Sequence, residues 1–169
     1  MTTLILTVVG TDRPGLVAAV ADVVDAHGGN WENSQLAELA GAFAGVVQVS
    51  VPDDRRAQLT SALQALDGLL TVTVHAGSDA EPEATARPVA LQILGNDRPG
   101  IVREVSAVLR AHELSIETMT TETRDAAMAG GRLFEASVVA EVPASADLEA
   151  LRADLERLTT ELQVDITLA

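Results

Sequence analysis

The residues best suited to chemistry come as two matched stretches. Gly10-Thr11-Asp12-Arg13-Pro14-Gly15-Leu16-Val17 returns as Gly95-Asn96-Asp97-Arg98-Pro99-Gly100-Ile101-Val102, so that Asp12 and Asp97 stand 85 residues apart. In each copy an apolar run leads in and a helix-period apolar pattern leads out, which predicts a strand, a tight turn and the first turn of a helix. Free amides at a helix start attract an anion such as the carboxylate of an amino acid. Gly15 and Gly100 would let such a ligand approach the backbone closely. Asp12 and Asp97 could then take its ammonium group in a charge-assisted hydrogen bond, with Arg13 and Arg98 beside them. A second contact is expected from Asn30 and, again 85 residues on, from Ser115, where the second strand of each copy begins beside the turn. The same residues admit a purely structural reading, in which Asp12 and Asp97 cap their own helices and Pro14 and Pro99 fix helical φ.

Other chemistries lack their residues. The chain has no cysteine, which removes disulfides, thiolate metal sites and cysteine nucleophiles and fits a reducing cytoplasm. Of its three histidines, His27 and His112 are equivalent and fall in the last turn of the same helix, where a cation favours the dipole. His75 lies a strand away, and no pair has the spacing of metal ligands. There is no G-x-S-x-G elbow, P-loop or G-x-G-x-x-G. The chain therefore reads as a non-enzyme with no metal and no cofactor.

Composition sets further bounds. Of 169 residues 47% are hydrophobic but only 2% aromatic, so the core must be aliphatic. All 11 basic residues are arginine and the net charge is −14, which opposes direct binding to DNA or RNA. No apolar run approaches the roughly 20 residues that span a bilayer, and the start of the chain lacks the pattern of a secretion signal. A soluble, cytoplasmic protein is expected.

The elements that position the two stretches repeat in order. Leu4 to Val9 reads as a strand, and Leu16, Val20, Val23 and Val24 as the stripe of a helix stopped at His27-Gly28-Gly29. Trp31 to Leu39 and Phe43 to Val51 form a hairpin candidate around Ala40-Gly41. Pro52-Asp53-Asp54 opens a second helix with an aspartate available as a cap, and Leu59, Leu63 and Leu66 line it. Leu70 to His75 alternates as a fourth strand. Val89 to Leu94, the Ile101, Val105, Val108 and Leu109 stripe, the Leu114–Thr123 and Leu133–Val142 hairpin, the Leu148, Leu151, Leu155 and Leu158 stripe, and Val164 to Leu168 repeat the series.

The fold class is α+β: two tandem ferredoxin-like βαββαβ units, each an antiparallel sheet with both helices on one face. The first is placed at 1–76 and the second at 88–169, with an acid-, alanine- and proline-rich linker at 77–87. Phe43 and Phe134 stand 91 residues apart, so the second hairpin is six residues longer, with the excess at 124–131. First strands apolar on both sides imply a cover for the open sheet face, which points to a homodimer or larger homo-oligomer.

The two Asp-Arg-Pro-Gly copies, each followed by Leu16-Val17 or Ile101-Val102, together with His27-Gly28-Gly29-Asn30, resemble the ACT-domain family of amino-acid-sensing regulatory modules. The resemblance covers both halves of the chain. It implies effector sites at the first strand-to-helix turn, completed across a domain interface, near Asp12, Gly15 and Asn30 and near Asp97, Gly100 and Ser115. Serine-sensing members carry histidine where Gly10 and Gly95 stand, and an asparagine where Ser115 stands. The resemblance further implies an amino-acid effector, glycine or similar, and a protein partner, a transcription activator through which glycine cleavage genes are regulated indirectly. The alternatives are a detached regulatory subunit of an amino-acid metabolic enzyme and a ligand-free dimerisation module.

Overall fold

The computed structural model describes residues 1–77, 87–126 and 130–169. Most of the expected linker, and the middle of the 124–131 excursion, lie outside the described residues. The chain divides into two compact units, Met1–Ala80 and Glu81–Ala169.

In the first unit β1 (Thr2–Thr11), α1 (Leu16–Ala26), β2 (Asn30–Leu39), β3 (Ala42–Val51), α2 (Arg56–Gln64) and β4 (Thr71–Ala76) follow in order. The sheet order is β2-β3-β1-β4, antiparallel throughout. The period-2 pattern decides which face is buried. Leu4, Leu6 and Val8 of β1 and Val47, Val49 and Val51 of β3 join Leu16, Val20 and Val24 of α1 and Leu59 and Leu63 of α2 in one core. Trp31 and Phe43 pack at its margin, and the buried residues themselves are all aliphatic. Full burial of each such side chain is worth about 1.5–3 kcal/mol. The alternate residues Val9 and Val46 remain exposed on the other face.

The second unit repeats this as β5 (Arg87–Asn96), α3 (Ile101–Ala111), β6 (Ser115–Asp125), β7 (Arg132–Val142), α4 (Leu148–Leu162) and β8 (Val164–Leu168), with sheet order β6-β7-β5-β8. Leu91, Ile93, Ile101, Val105 and Leu109 pack with Phe134, Val138, Leu151, Leu155, Leu158 and Leu162. Phe134 is the one aromatic side chain among the buried residues of that core. The two four-stranded sheets with their paired helices are the expected ferredoxin-like units.

Several local expectations are corrected. The buried stripe of α4 runs Leu151, Leu155, Leu158, Leu162, and Leu148, the first helical residue, stays exposed. Asp53 caps nothing: residues Asp53–Arg55 form a 3-10 turn without a side-chain cap, and the Asp53 carboxylate accepts instead from the Thr2 hydroxyl. The six extra residues of the second hairpin are shared. Each of its strands is one residue longer than in the first hairpin, and the loop grows from Ala40-Gly41 to 126–131. Ala40 and Gly41 both have positive φ, the geometry of a two-residue hairpin turn whose twist suits the strands.

Candidate functional site

The turn after β1 is built from its proline and glycine. Gly15 has φ 92° and ψ 0°, and Gly100 has φ 100° and ψ −10°. These are the values of the third residue of a type II turn, which proline favours at the second place and which side chains resist at the third. Pro14 and Pro99 therefore belong to the turn and not to the helix, and the glycines are the N-caps. Neither glycine can cap with a side chain, and among the described residues no other side chain does so. Asp12 and Asp97 are thus not the caps of α1 and α3. Helical bonding begins with Ala19 to the Gly15 carbonyl and Glu104 to the Gly100 carbonyl, both at 2.9 Å. The amides before them, at Leu16 to Ala18 and Ile101 to Arg103, form an uncapped positive end to each helix.

Each aspartate is held in place by its backbone. The Asp12 amide donates to the carbonyl of Gly41, in the β2–β3 turn, at 2.9 Å, and the Asp97 amide donates to the carbonyl of Arg132 at 2.8 Å. Both carboxylates are left exposed beside the uncapped helix end. An anion at the amides and a cation at the carboxylate are what this arrangement can accept.

Asn30 and Ser115 are not beside these turns. Asn30 lies opposite Ser50, and Ser50 opposite Thr3, so Asn30 is level with the beginning of β1 and Asp12 follows its end. Nine residues separate Thr3 from Asp12, about 30 Å at strand rise. Ser115 lies opposite Glu141 and Glu141 opposite Pro88, which puts it equally far from Asp97. The reason is topological: α1 and α3 return the chain to the starting end of the first strand before the second begins. The expectation that the second strand starts beside the turn is wrong within a unit.

The arginines diverge between the repeats. Arg13 turns away from Gly41 and donates from Nη2 to the Gly68 carbonyl at 2.9 Å, bracing the α2–β4 connection. With Asp67, Gly68 and Leu70 it lines a groove of about 550 Å³ whose floor includes Gly10. Asp67-Gly68 is a turn signal in the sequence, and it marks the loop that forms this wall. In the second unit the corresponding connection is the single residue Gln163, so Arg98 has no such loop to brace.

The two equivalent histidines also part. Both are C-caps, but His27 Nδ1 lies 2.8 Å from its own helix's Val23 carbonyl, whereas His112 Nε2 lies 2.8 Å from Asp154 Oδ2 on α4. Arg157 holds the other oxygen of Asp154. This link joins α3 to α4 on the helical face, away from the strand-to-helix turns.

A family model described as ACT domain matches residues 2–77, and a second matches residues 83–165. The glycine cleavage system transcriptional repressor of Escherichia coli (strain K12) is 27% identical over 166 residues, covering 94% of this chain and 85% of that protein. The repressor of the same name from Shigella flexneri matches to the same extent. The crystal structure of an unknown protein from Galdieria sulphuraria is similar with a TM-score of 0.89 at 30% identity, over 99% of this chain and 96% of that one. With both repeats matched and the strand order of each unit as described, the chain belongs to the ACT-domain family and carries two of its domains in tandem.

Proposed function

We propose that this protein is a non-catalytic regulator that responds to an amino acid, glycine or a close relative, at the turns after β1 and β5. The observation that carries the reading is the pairing of an uncapped helix end with a fixed, exposed aspartate, at Gly15 with Asp12 and at Gly100 with Asp97. The carboxylate of the ligand would meet the helix amides and its ammonium group the aspartate. Arg13 and Arg98 flank these turns. Asn30 and Ser115 would join a turn only from another domain, across a domain interface. The likeness to the Escherichia coli repressor supports an output on transcription of glycine cleavage genes. The charge of −14 favours reaching those genes through a protein partner over direct contact with DNA.

Such a ligand shifts an assembly only by its differential affinity for two states. The test is a thermal-shift titration against the common amino acids. A ligand at 100 times its dissociation constant adds about 2.7 kcal/mol to folding, a shift of several degrees for domains of this size. A saturable shift for one amino acid, lost in the Asp12→Ala and Asp97→Ala double variant, is expected. No shift from any of them would remove the amino-acid reading and leave a protein-interaction module.

A further inference from the structure

We infer that the open sheet face of the first unit is an interface on which two copies of this chain meet, face to face, and that charge bars the open face of the second unit from the same role.

Register defines the face. Val8, Val47 and Val72 belong to the core, so Thr7, Val9, Val46, Thr71 and Thr73 stand on the other side of the sheet. Thr7 and Val46 pair at its middle, with Thr73 and Gln35 outside them on the edge strands. The next row, towards the turn, runs Thr71, Val9, Ala44, Ala37. All of these side chains are exposed and none of them ionises. Val9 is 48% and Val46 44% exposed, so apolar surface lies at the centre. The row on the far side of Thr7 passes through Ile5 and Gln48 and ends at His75 on β4. Glu32, at the bulge in the edge strand β2, accepts from Gln48 Nε2 at 3.1 Å and marks the margin.

The second unit carries the opposite surface on the same frame. Where the first has Thr71, Val9, Ala44 and Ala37, the second has Asp165, Leu94, Glu135 and Glu122 in one row. Arg124 answers only Glu135, at 3.5 Å. Two copies of this row would set carboxylates against carboxylates.

The occupant follows from charge and area. Each chain carries −14, so contact between copies is opposed wherever acidic surfaces meet. A dimer with a two-fold axis uses one patch twice, and that patch must suit itself. Uncharged middle rows with valine at their centre meet that condition, and the row around Leu94 does not. Three strands of ten residues and one of six outline roughly 570 Å² at strand rise and spacing. Two such faces bury about 1,100 Å², above the roughly 1,000 Å² that a specific interface needs.

The test is the mass of the full chain in solution, by sedimentation equilibrium, with circular dichroism to check that each variant is folded. The unsubstituted chain is expected to be a dimer. Thr7→Glu and Val46→Glu, both at exposed positions, should each raise the dimer dissociation constant about a hundredfold or more, because every dimer then buries the charge twice. Ser137→Glu, at the place in the second unit that Val46 holds in the first, should leave it unchanged. Mixing Val46→Glu with Val46→Lys chains should restore dimers, since only a face that meets itself brings the two substitutions together. A chain that stays monomeric at about 100 μM overturns the interface. So does a dimer indifferent to Thr7→Glu and Val46→Glu, a dimer lost in Ser137→Glu, or a glutamate and lysine mixture that remains apart. The dimer needs no ligand at the turns, so its failure and the failure of the amino-acid response are read separately.

Discussion

Val164 covers Gly95 so closely that a β-carbon on the glycine would lie 2.4 Å from Val164 Cγ1 and 2.9 Å from its Cα. The equivalent contact in the first unit is looser: a β-carbon on Gly10 would lie 2.9 Å from the movable Leu70 Cδ2 and 3.1 Å from the Leu69 carbonyl oxygen. β8 thus occupies the space beside Gly95, and Leu69 and Leu70, which lead into β4, occupy that beside Gly10, so each glycine is a packing requirement.

Gly95→Ala should therefore destabilise the second unit by about 1–3 kcal/mol, the cost of overpacking against backbone. Gly10→Ala should cost less, because the Leu70 side chain can give and the nearest backbone atom, the Leu69 carbonyl oxygen, is farther at 3.1 Å than the Val164 Cα at 2.9 Å. Denaturant unfolding of the two variants checks the order; equal effects would mean that β8 moves aside as readily as a leucine methyl.

Asp12 and Asn30, about 30 Å apart along one sheet, make complementation possible. If an effector site in a homodimer takes its aspartate from one chain and its asparagine from another, Asp12→Ala and Asn30→Ala chains each lose the first-unit site. Random mixing of the two puts about half the chains into mixed dimers, and each mixed dimer regains one intact site of two. Calorimetry on the mixture should thus recover about a quarter of the first-unit binding. No recovery would exclude a site shared in this way.

The strand pattern made the fold legible: Leu4, Leu6 and Val8 alternate, Leu16, Val20 and Val24 recur at helical spacing, and the 85-residue offset reveals two units. Ala40-Gly41 was equally readable as the hairpin turn. The parts of the site that depend on long-range placement were not. Asn30 follows α1 closely in sequence, and only the antiparallel pairing to Ser50 shows that it is at the far end of the sheet. Arg13 was visible as part of a motif, but its partner, the Gly68 carbonyl, is a backbone atom 55 residues away that no side-chain pattern announces. The shifted stripe of α4 has a local cause: Leu162 extends the helix to within one residue of β8, so the buried face is set from the C-terminal end.

Acid should find a specific weak point near the start of β1. The Thr2 hydroxyl, donating to the Asp53 carboxylate at 2.5 Å, holds that carboxyl below its ordinary value of 3.8, helped by the N-terminal ammonium 3.4 Å away. A carboxyl lowered in the folded state contributes stability above its unfolded value and loses it as pH falls through the folded value. Asp53→Asn should flatten the decline of stability below about pH 4, and Thr2→Val should do the same in part. Unfolding midpoints measured from about pH 5 down to about pH 2 decide it; an unchanged acid limb in Asp53→Asn would assign the decline to other carboxylates.

Glu113 holds φ 59° at the end of α3, where the first unit has Gly28 at φ 69°. In both units the chain then closes the helix in the same way, Gly29 to the Val24 carbonyl and Leu114 to the Leu109 carbonyl, each at 2.9 Å. A side chain in the left-handed region costs about 1–2 kcal/mol that glycine avoids. Glu113→Gly should accordingly stabilise the second unit by roughly 1 kcal/mol, less whatever glycine adds to the entropy of the unfolded chain. A loss of stability would show that the unfolded-state entropy outweighs the strain.

Asp147 and Asp12 separate the structural from the binding role of an aspartate before a helix. Asp147 Oδ1 accepts from the amides of Glu149 and Ala150 at 3.0 and 3.1 Å, so it caps α4. Asp12 precedes α1 but makes no such bond, since the turn places Gly15 between it and the helix. Asp147→Ala should cost about 1 kcal/mol. Asp12→Ala and Asp97→Ala should cost much less, because among the described residues only their backbone amides are engaged, and substitution leaves those in place. The same two variants should nevertheless lose the amino-acid response. A large stability loss in Asp12→Ala with the ligand response intact would reverse the assignment and make the motif aspartate a structural residue after all.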